Sequence, residues 1–453
     1  MADYPTDNQQ FFSEPERPCA LVNKCSGERS AALFVSDQLK KHFGEDNVFD
    51  LFPVKGKPPL IEEAKQFVAQ RKPDLLVVAG GDGTVSLGLD IVDAVRAADL
   101  IGPATAPIAV IPMGTGNDLS RSLGFGGGYH TPLVKAEEQF GKLLRRLFAA
   151  RPCKIDRFSL SITAVDHDAV AAGHSGAVNG HKKSGESPAS PRPKEKKEDR
   201  SFEEADHHPY SRPDEADDSA EQQHEQQQEF SSPLPVRSFS SNPKEVKKVF
   251  TNYFSIGFDA QVAKQFGDFR DHNPEMCKSR VINKMWYGCF GCNAMCCANT
   301  LPKKQLSLTL DGTAQKVPSN MKSIVVSNMI TYAGGNVLWG DAHHQYDAPA
   351  VDDGKVEVVA LEGVWHMVGV GTQTRSGKKL GQASSLVLYA PANFTMQYDG
   401  EPIAAIGTAD QMVKVAIEFK SQSLGMRGSP PSSSEKETND EAVQALHSER
   451  EHK

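Results

Sequence analysis

Five consecutive residues, Gly80, Gly81, Asp82, Gly83 and Thr84, follow the apolar run DLLVVA at 74–79. Glycines at the carboxyl end of a parallel strand let the main chain come close to a phosphate. Their N–H groups and the N-terminus of the next helix form an anion cradle. Thr84 can cap that helix and donate to a phosphate oxygen. Asp82 then stands among phosphates, where a carboxylate can hold Mg²⁺ or accept the proton of an attacking hydroxyl. Alone, the five residues read equally well as a tight turn with an N-cap.

A second loop, Pro112, Met113, Gly114, Thr115, Gly116, Asn117 and Asp118, follows the apolar IAVI at 108–111. Gly114 and Gly116 allow close approach, and Thr115 and Asn117 can hydrogen-bond a nucleotide. Two small, polar loops at strand ends point to one crevice at the carboxyl edge of a sheet. Taken singly, the second loop is an Asn/Asp-capped turn. Asp399, Gly400 and Glu401, far along the chain, read alone as a hairpin turn.

The elements that must position these residues alternate. Apolar runs at 19–23 (CALVN), 48–51, 74–79 and 108–111 are short strands. Residues 30–42, 61–71, 85–97 and 133–150 carry helical spacing, with Phe140, Leu143, Leu144, Leu147 and Phe148 on one face of the last. That alternation predicts an α/β fold with a doubly wound parallel sheet. After residue 248 the texture changes. Runs at 249–257, 306–310, 323–327, 355–360, 385–389 and 413–419 predict a second, mainly antiparallel β-sandwich domain.

The chain has 453 residues and a formal net charge of -8, from 50 Lys plus Arg and 58 Asp plus Glu. Its mean hydropathy is -0.44, which implies folded domains diluted by polar segments. The expected division is a tail at 1–17, an α/β domain carrying both glycine loops at 18–155, a β-rich domain at 156–163 and 248–427, a disordered insert at 164–247 and a tail at 428–453. The insert joins two predicted strands, 158–163 and 248–255, so it reads as an overgrown hairpin loop. Mild acidity argues against a nucleic-acid partner. A spanning helix and a signal peptide are not expected. Eight cysteines in so long a chain do not make a disulfide framework, and a cytoplasmic setting is expected. Walker A, protein-kinase and EF-hand signatures are absent.

The two glycine loops together resemble a known family. The first is similar to the G-G-D-G-T signature of the diacylglycerol, sphingosine and ceramide kinase superfamily. The second, IPMGTGNDLSRSLGFGGGY at 111–129, resembles the longer hallmark of eukaryotic diacylglycerol kinases. NYFSIGFDAQVAKQF (252–266), NKMWYG (283–288), YAGGNVLWG (332–340), VEVVALEG (356–363) and MQYDGEP (396–402) resemble that family's accessory region in order, so the likeness covers about 18–420 less the insert.

The resemblance implies Mg²⁺-dependent transfer of the ATP γ-phosphoryl group to diacylglycerol at a membrane surface, giving phosphatidic acid. It implies that Asp82 is essential, that Glu401 is a candidate base with Asp399 beside it, and that Asp156 lines the same cleft. Three carboxylates would then meet at one mouth, where mutual repulsion raises at least one pKa. Asp118 and Asp399 fall to the substrate side; the base role stays open between Asp82 and Glu401. The family usually opens with N-P-K-S-G-G. Here Asn23, Ser26 and Gly27 survive to meet phosphate, while Glu28 replaces the second glycine. A sphingoid-base or ceramide kinase is the alternative within enzymes, and a catalytically weak lipid-binding scaffold outside them.

Weaker signals remain. Cys289, Cys292, Cys296 and Cys297 have zinc-like spacing, could be palmitoylated, and most simply are small hydrophobes. Asp352 and Asp353 resemble a structural Mg²⁺ site of bacterial relatives, although a turn explains them better. Lys278, Arg280 and Lys284 near Trp286 and Tyr287 suit anionic headgroups.

Overall fold

The computed structural model describes residues 14–53, 57–129, 134–166, 245–277, 301–340, 345–362 and 377–428. Most of both tails, the insert apart from its first three and last three residues, the cysteines at 289–297, the basic–aromatic patch at 278–287 and the motif at 283–288 lie outside them. No helix among the described residues is long and apolar enough to cross a membrane.

The first half alternates as its periodicity dictates: β1 (Pro18–Val22), α1 (Arg29–Phe43), β2 (Val48–Asp50), α2 (Ile61–Arg71), β3 (Leu75–Gly80), α3 (Asp82–Ala97), β4 (Ile108–Pro112), α4 (Asp118–Ser122) and α5 (Ala136–Phe148). The four strands are parallel, in the order β2-β1-β3-β4. Strands β1, β3 and β4 are nearly continuous apolar runs because both faces are covered by helices. Phe34 and Phe43 of α1 meet Phe140 and Phe148 of α5, with ring centroids 6.1 and 6.2 Å apart. On the other face α3 buries Val85, Leu89 and Val92 at helical spacing. Gly88 lets it come close: a Cβ there would stand 3.0 Å from a Val78 methyl.

The second half is antiparallel. It comprises β5 (Arg151–Val165), β6 (Glu245–Phe250), β7 (Tyr253–Gly257), α6 (Phe258–His272), β8 (Ser307–Leu310), β9 (Thr313–Gln315), β10 (Ser323–Ser327), β11 (Val356–Leu361), β12 (Lys378–Ala383), β13 (Ser385–Pro391), β14 (Met396–Tyr398), β15 (Glu401–Pro402) and β16 (Met412–Arg427). One sheet runs β12-β11-β10-β7-β14-β15. Its inner face, with Ile256, Ile324, Val326 and Val358, packs on Phe158, Leu160, Leu308, Leu388 and Val415 of the other sheet, as a sandwich requires.

The parallel sheet and one sandwich sheet are continuous. Strand β16 pairs with β5 from Met412 to Arg427 apart from a bulge at Lys420, pairs through its first half with β13, and reaches β4 at Gly425 opposite Ile108. The insert joins two adjacent antiparallel strands, Thr163 facing Glu245 and Phe158 facing Phe250, which is hairpin geometry. The single strand expected at 249–257 is broken. Strand β6 ends at Phe250 and β7 begins at Tyr253, because the amides of Thr251, Asn252 and Tyr253 turn toward the Asp399 carboxylate.

Candidate functional site

From β1 the chain winds outward to β2, and from β3 it winds the other way to β4. In open α/β sheets a ligand crevice forms at the carboxyl ends of the two strands flanking that reversal. Those ends here carry Asn23 and Gly80. Val22 faces Ala79 and Gly80 faces Pro112, so three loops leave the sheet side by side.

The loops brace one another. The Asn23 amide donates to Ala79 O at 2.9 Å, its side chain donates to Thr84 Oγ1 at 2.9 Å, and Met113 N donates to Gly80 O at 2.8 Å. Gly27 has φ +67°, and a Cβ there would stand 2.0 Å from the Met113 carbonyl oxygen. A Cβ on Gly114 would stand 2.6 Å from Gly81 Cα. Two glycine main chains therefore lie in contact. Gly81, not Thr84, precedes the first turn of α3, since the Thr84 hydroxyl receives Asn23. Gly83 is exposed with nothing near the position of a Cβ, so the helix N-terminus is open to solvent.

A cleft of about 1090 Å³ lies along this edge. Asn23, Ser26, Gly81, Gly83 and Thr84 line it, together with Asp399 and Glu401 from the β14–β15 turn. The first loop, the altered Asn23–Gly27 element and the late acidic turn thus share one cavity. Residues 114–117 back the cleft and do not line it. Asn117, expected to face a nucleotide, is 1% exposed. Its Oδ1 accepts Gly114 N at 3.0 Å, and its Nδ2 donates to Gly114 O at 2.7 Å and Gly127 O at 2.9 Å. A left-handed residue at φ +54° has turned its amide inward and clamps the loop.

Three acidic side chains lie close to the glycine loops; Asp399 lines the cleft, whereas Asp82 and Asp118 are not among the residues that line it. Asp82 accepts the amides of Asp118 and Leu119, each at 3.1 Å. Burial, with the neighbouring Asp118 charge adding to it, pushes its carboxyl up to about 7. Asp118, 1% exposed, accepts Thr331 Oγ1 at 2.9 Å, Gly334 N at 2.9 Å and Gly335 N at 3.0 Å, which ties the second glycine loop to the YAGG segment. Burial also raises its carboxyl. Asp399 accepts Asn252 N at 2.7 Å, Thr251 N and Tyr253 N at 3.1 Å and Ser86 Oγ at 3.2 Å, and burial raises it as well.

Asp156 was expected at the same mouth and is not among the residues that line the cleft. It is fully buried in β5, where it accepts Gly354 N at 2.6 Å and Gln422 Nε2 at 2.8 Å. Its carboxyl is raised by burial, with Asp353 and Asp352 adding to it. Asp352 pairs with Arg427 at 3.5 Å, and Asp353 accepts Lys355 N at 3.0 Å, the geometry of an Asp-led turn. No group of three or more His, Cys, Asp or Glu among the described residues is placed to hold a metal by itself. An ion at Asp82 would need oxygens from a bound nucleotide.

Pattern reading missed Ser86, which fastens the late acidic turn to α3, and Arg157, which is 2% exposed and pairs with Asp90 of α3. Neither belongs to a motif; only tertiary placement identifies them.

Residues 17–146 match the diacylglycerol kinase catalytic domain, and residues 249–402 match the diacylglycerol kinase accessory domain. The chain belongs to the diacylglycerol kinase family. Diacylglycerol kinase 4 of Arabidopsis thaliana is 28% identical over 91% of this chain and 82% of its own length. Diacylglycerol kinase zeta of Rattus norvegicus is 27% identical over 84% of this chain and 33% of its own. Diacylglycerol kinase 1 of Arabidopsis thaliana is matched over 43% of its length, so the chain spans less than half of several curated relatives. A solved diacylglycerol kinase from Bacillus anthracis aligns over 92% of this chain and 98% of that one, with 15% identity and a TM-score of 0.42.

Proposed function

We propose that the chain is an ATP-dependent lipid kinase that phosphorylates 1,2-diacylglycerol to phosphatidic acid at a membrane surface, with Mg²⁺. The observation that carries this reading is the shared cleft: phosphate-suited main chain from the catalytic region meets Asp399 and Glu401 from the accessory region.

The nucleotide fits what the loops present. Gly81, Gly83 and the open N-terminus of α3 offer amides to phosphate oxygens, and Asn23, Ser26 and Thr84 add polar side chains beside them. Gly80 and Gly27 keep the strand ends close enough for that approach, while Gly114, Thr115, Gly116 and Asn117 support the loop from behind. Mg²⁺ bound with the nucleotide would neutralise phosphate charge, and in this reading Asp82 would be the carboxylate that helps to hold it.

The chemistry needs the lipid hydroxyl to lose its proton as its oxygen attacks the γ-phosphorus and ADP leaves. A carboxyl titrating near 7 can accept that proton at physiological pH, which suits Asp82; Glu401, exposed at the cleft, is the other candidate. Asp118 and Asp399, filled with amide hydrogen bonds, position the acidic residues and the substrate-side turn. Asp156 supports β5 and the 351–354 turn.

A lipid panel with labelled ATP in mixed detergent–lipid micelles tests the reading. Diacylglycerol should be labelled in preference to sphingosine and ceramide, and omission of Mg²⁺ should abolish the label. Preferential labelling of a sphingoid base would replace diacylglycerol as substrate.

A further inference from the structure

We infer that Lys248 and Lys420 form a phosphate-recognition pair on the β6 and β16 side of the cleft. The inference deepens the kinase reading by naming side chains that meet a phosphate group.

Charge bookkeeping in the cleft isolates these two. The cleft also contains Lys247, which pairs with Glu245 at 3.1 Å, and Arg270, which reaches Asp271 at 3.6 Å. Among its acids, Asp90 is paired with Arg157, Asp399 is filled by main-chain amides and Ser86, and Glu401 stands exposed at the β14–β15 turn. Lys248 and Lys420 pair with no carboxylate among the described residues. In a chain of net charge -8, two ammonium groups against the exposed carboxylate of Glu401 leave this concavity an excess of positive charge for an anion from outside.

Backbone geometry brings them there. Lys248 faces Leu160 in the β5–β6 register, and both line the cleft. Its ammonium stands 5.8 Å from the Tyr398 ring centroid, beside the turn that bears Asp399 and Glu401. Lys420 sits where the β5–β16 register shifts, between Phe419 and Ser421. Such a bulge leaves one residue out of the ladder and re-aims its side chain. Phe419 stays packed on Phe158, with centroids 5.8 Å apart, while Lys420 lines the cavity. The ligand chemistry is a phosphate bearing two negative charges, either the terminal phosphates of the nucleotide or the phosphate monoester of the lipid product.

The test uses the full chain with Lys248→Gln, Lys420→Gln, the double variant and a Lys→Arg control pair. Both side chains are exposed, so melting temperatures should stay at the wild-type value. Inorganic tripolyphosphate binding, measured by calorimetry, should weaken ~10–100-fold in the double variant and recover with arginine. A matching rise in KM for ATP assigns the pair to the nucleotide. Weaker product inhibition by phosphatidic acid with an unchanged KM for ATP assigns it to the lipid phosphate. Unchanged tripolyphosphate affinity, KM for ATP and product inhibition would overturn the inference. Because tripolyphosphate binding needs no turnover, a wild-type chain without kinase activity would sink the kinase reading while this one is still decided.

Discussion

The Ser86 hydroxyl donates to the Asp399 carboxylate at 3.2 Å, and this bond joins the helix that begins with Asp82 to the turn that ends in Glu401. The two acidic residues proposed for proton transfer come from segments more than 300 positions apart, and Ser86 is a direct side-chain link between them. Loss of one such link changes geometry more than stability, because Asp399 keeps its three main-chain donors. Ser86→Ala should therefore lower kcat ~10-fold while unfolding changes by less than ~1 kcal/mol. Steady-state kinetics beside a thermal melt separates the two. A large loss of stability with normal kcat would assign the bond to folding alone.

Asp118 contributes to the charge state of Asp82. Burial is the main reason the Asp82 carboxyl is lifted to about 7, and the Asp118 carboxylate adds to it. With Asp82 as base, activity rises with pH through that value. Asp118→Asn removes the neighbouring charge, so the acidic limb of the pH–rate profile should move to lower pH. The variant also loses part of its grip on Gly334 and Gly335 and should be less stable by ~1–3 kcal/mol. An acidic limb that stays put would mean that Asp82 does not set it.

A second buried acid gives a prediction about stability alone. Glu357 in β11 is 1% exposed; it accepts Gln382 Nε2 at 3.1 Å through Oε1, and its Oε2 has no partner among the described residues. Burial, with the Asp353 charge adding to it, pushes its carboxyl up to about 8. A carboxyl whose folded pKa exceeds its unfolded value of ~4.3 contributes stability below that value, which is lost as pH rises toward 8. Glu357→Gln abolishes the titration. The variant should gain on wild type as pH rises from ~4 to 8 and be ~1–3 kcal/mol more stable at pH 8.5. Denaturant melts at pH 5, 7 and 8.5 measure this; a constant difference would contradict it.

The strands that carry the site were legible because buried parallel strands are nearly uniform apolar runs, as in LLVVAG of β3. The turn after it was legible because only glycine tolerates such close main-chain contact. What a side chain does at the end of a loop was less so. Asn117 had the right type for a nucleotide contact, yet its backbone is left-handed and its amide closes the loop. Asp156 had the right type for the acidic mouth, yet β16 carries Gln422 and the 351–354 turn against it. Strand β16 itself was read only from 413 to 419; its polar continuation, KSQSLGMR, is strand because β5 pairs with it again from Ser421 to Arg427. Pairing partners distant in sequence leave no local periodicity. The same holds for Lys420, whose place in the cleft lining rests on a bulge.

The most direct test of the account follows phosphatidic acid formation and ATP binding on the same samples of wild type and Asp82→Asn. The account predicts ATP affinity within ~10-fold of wild type and turnover lower by at least ~10³-fold. Turnover of the variant within a few-fold of wild type would contradict it, since the carboxylate at the head of α3 would then have no part in phosphoryl transfer.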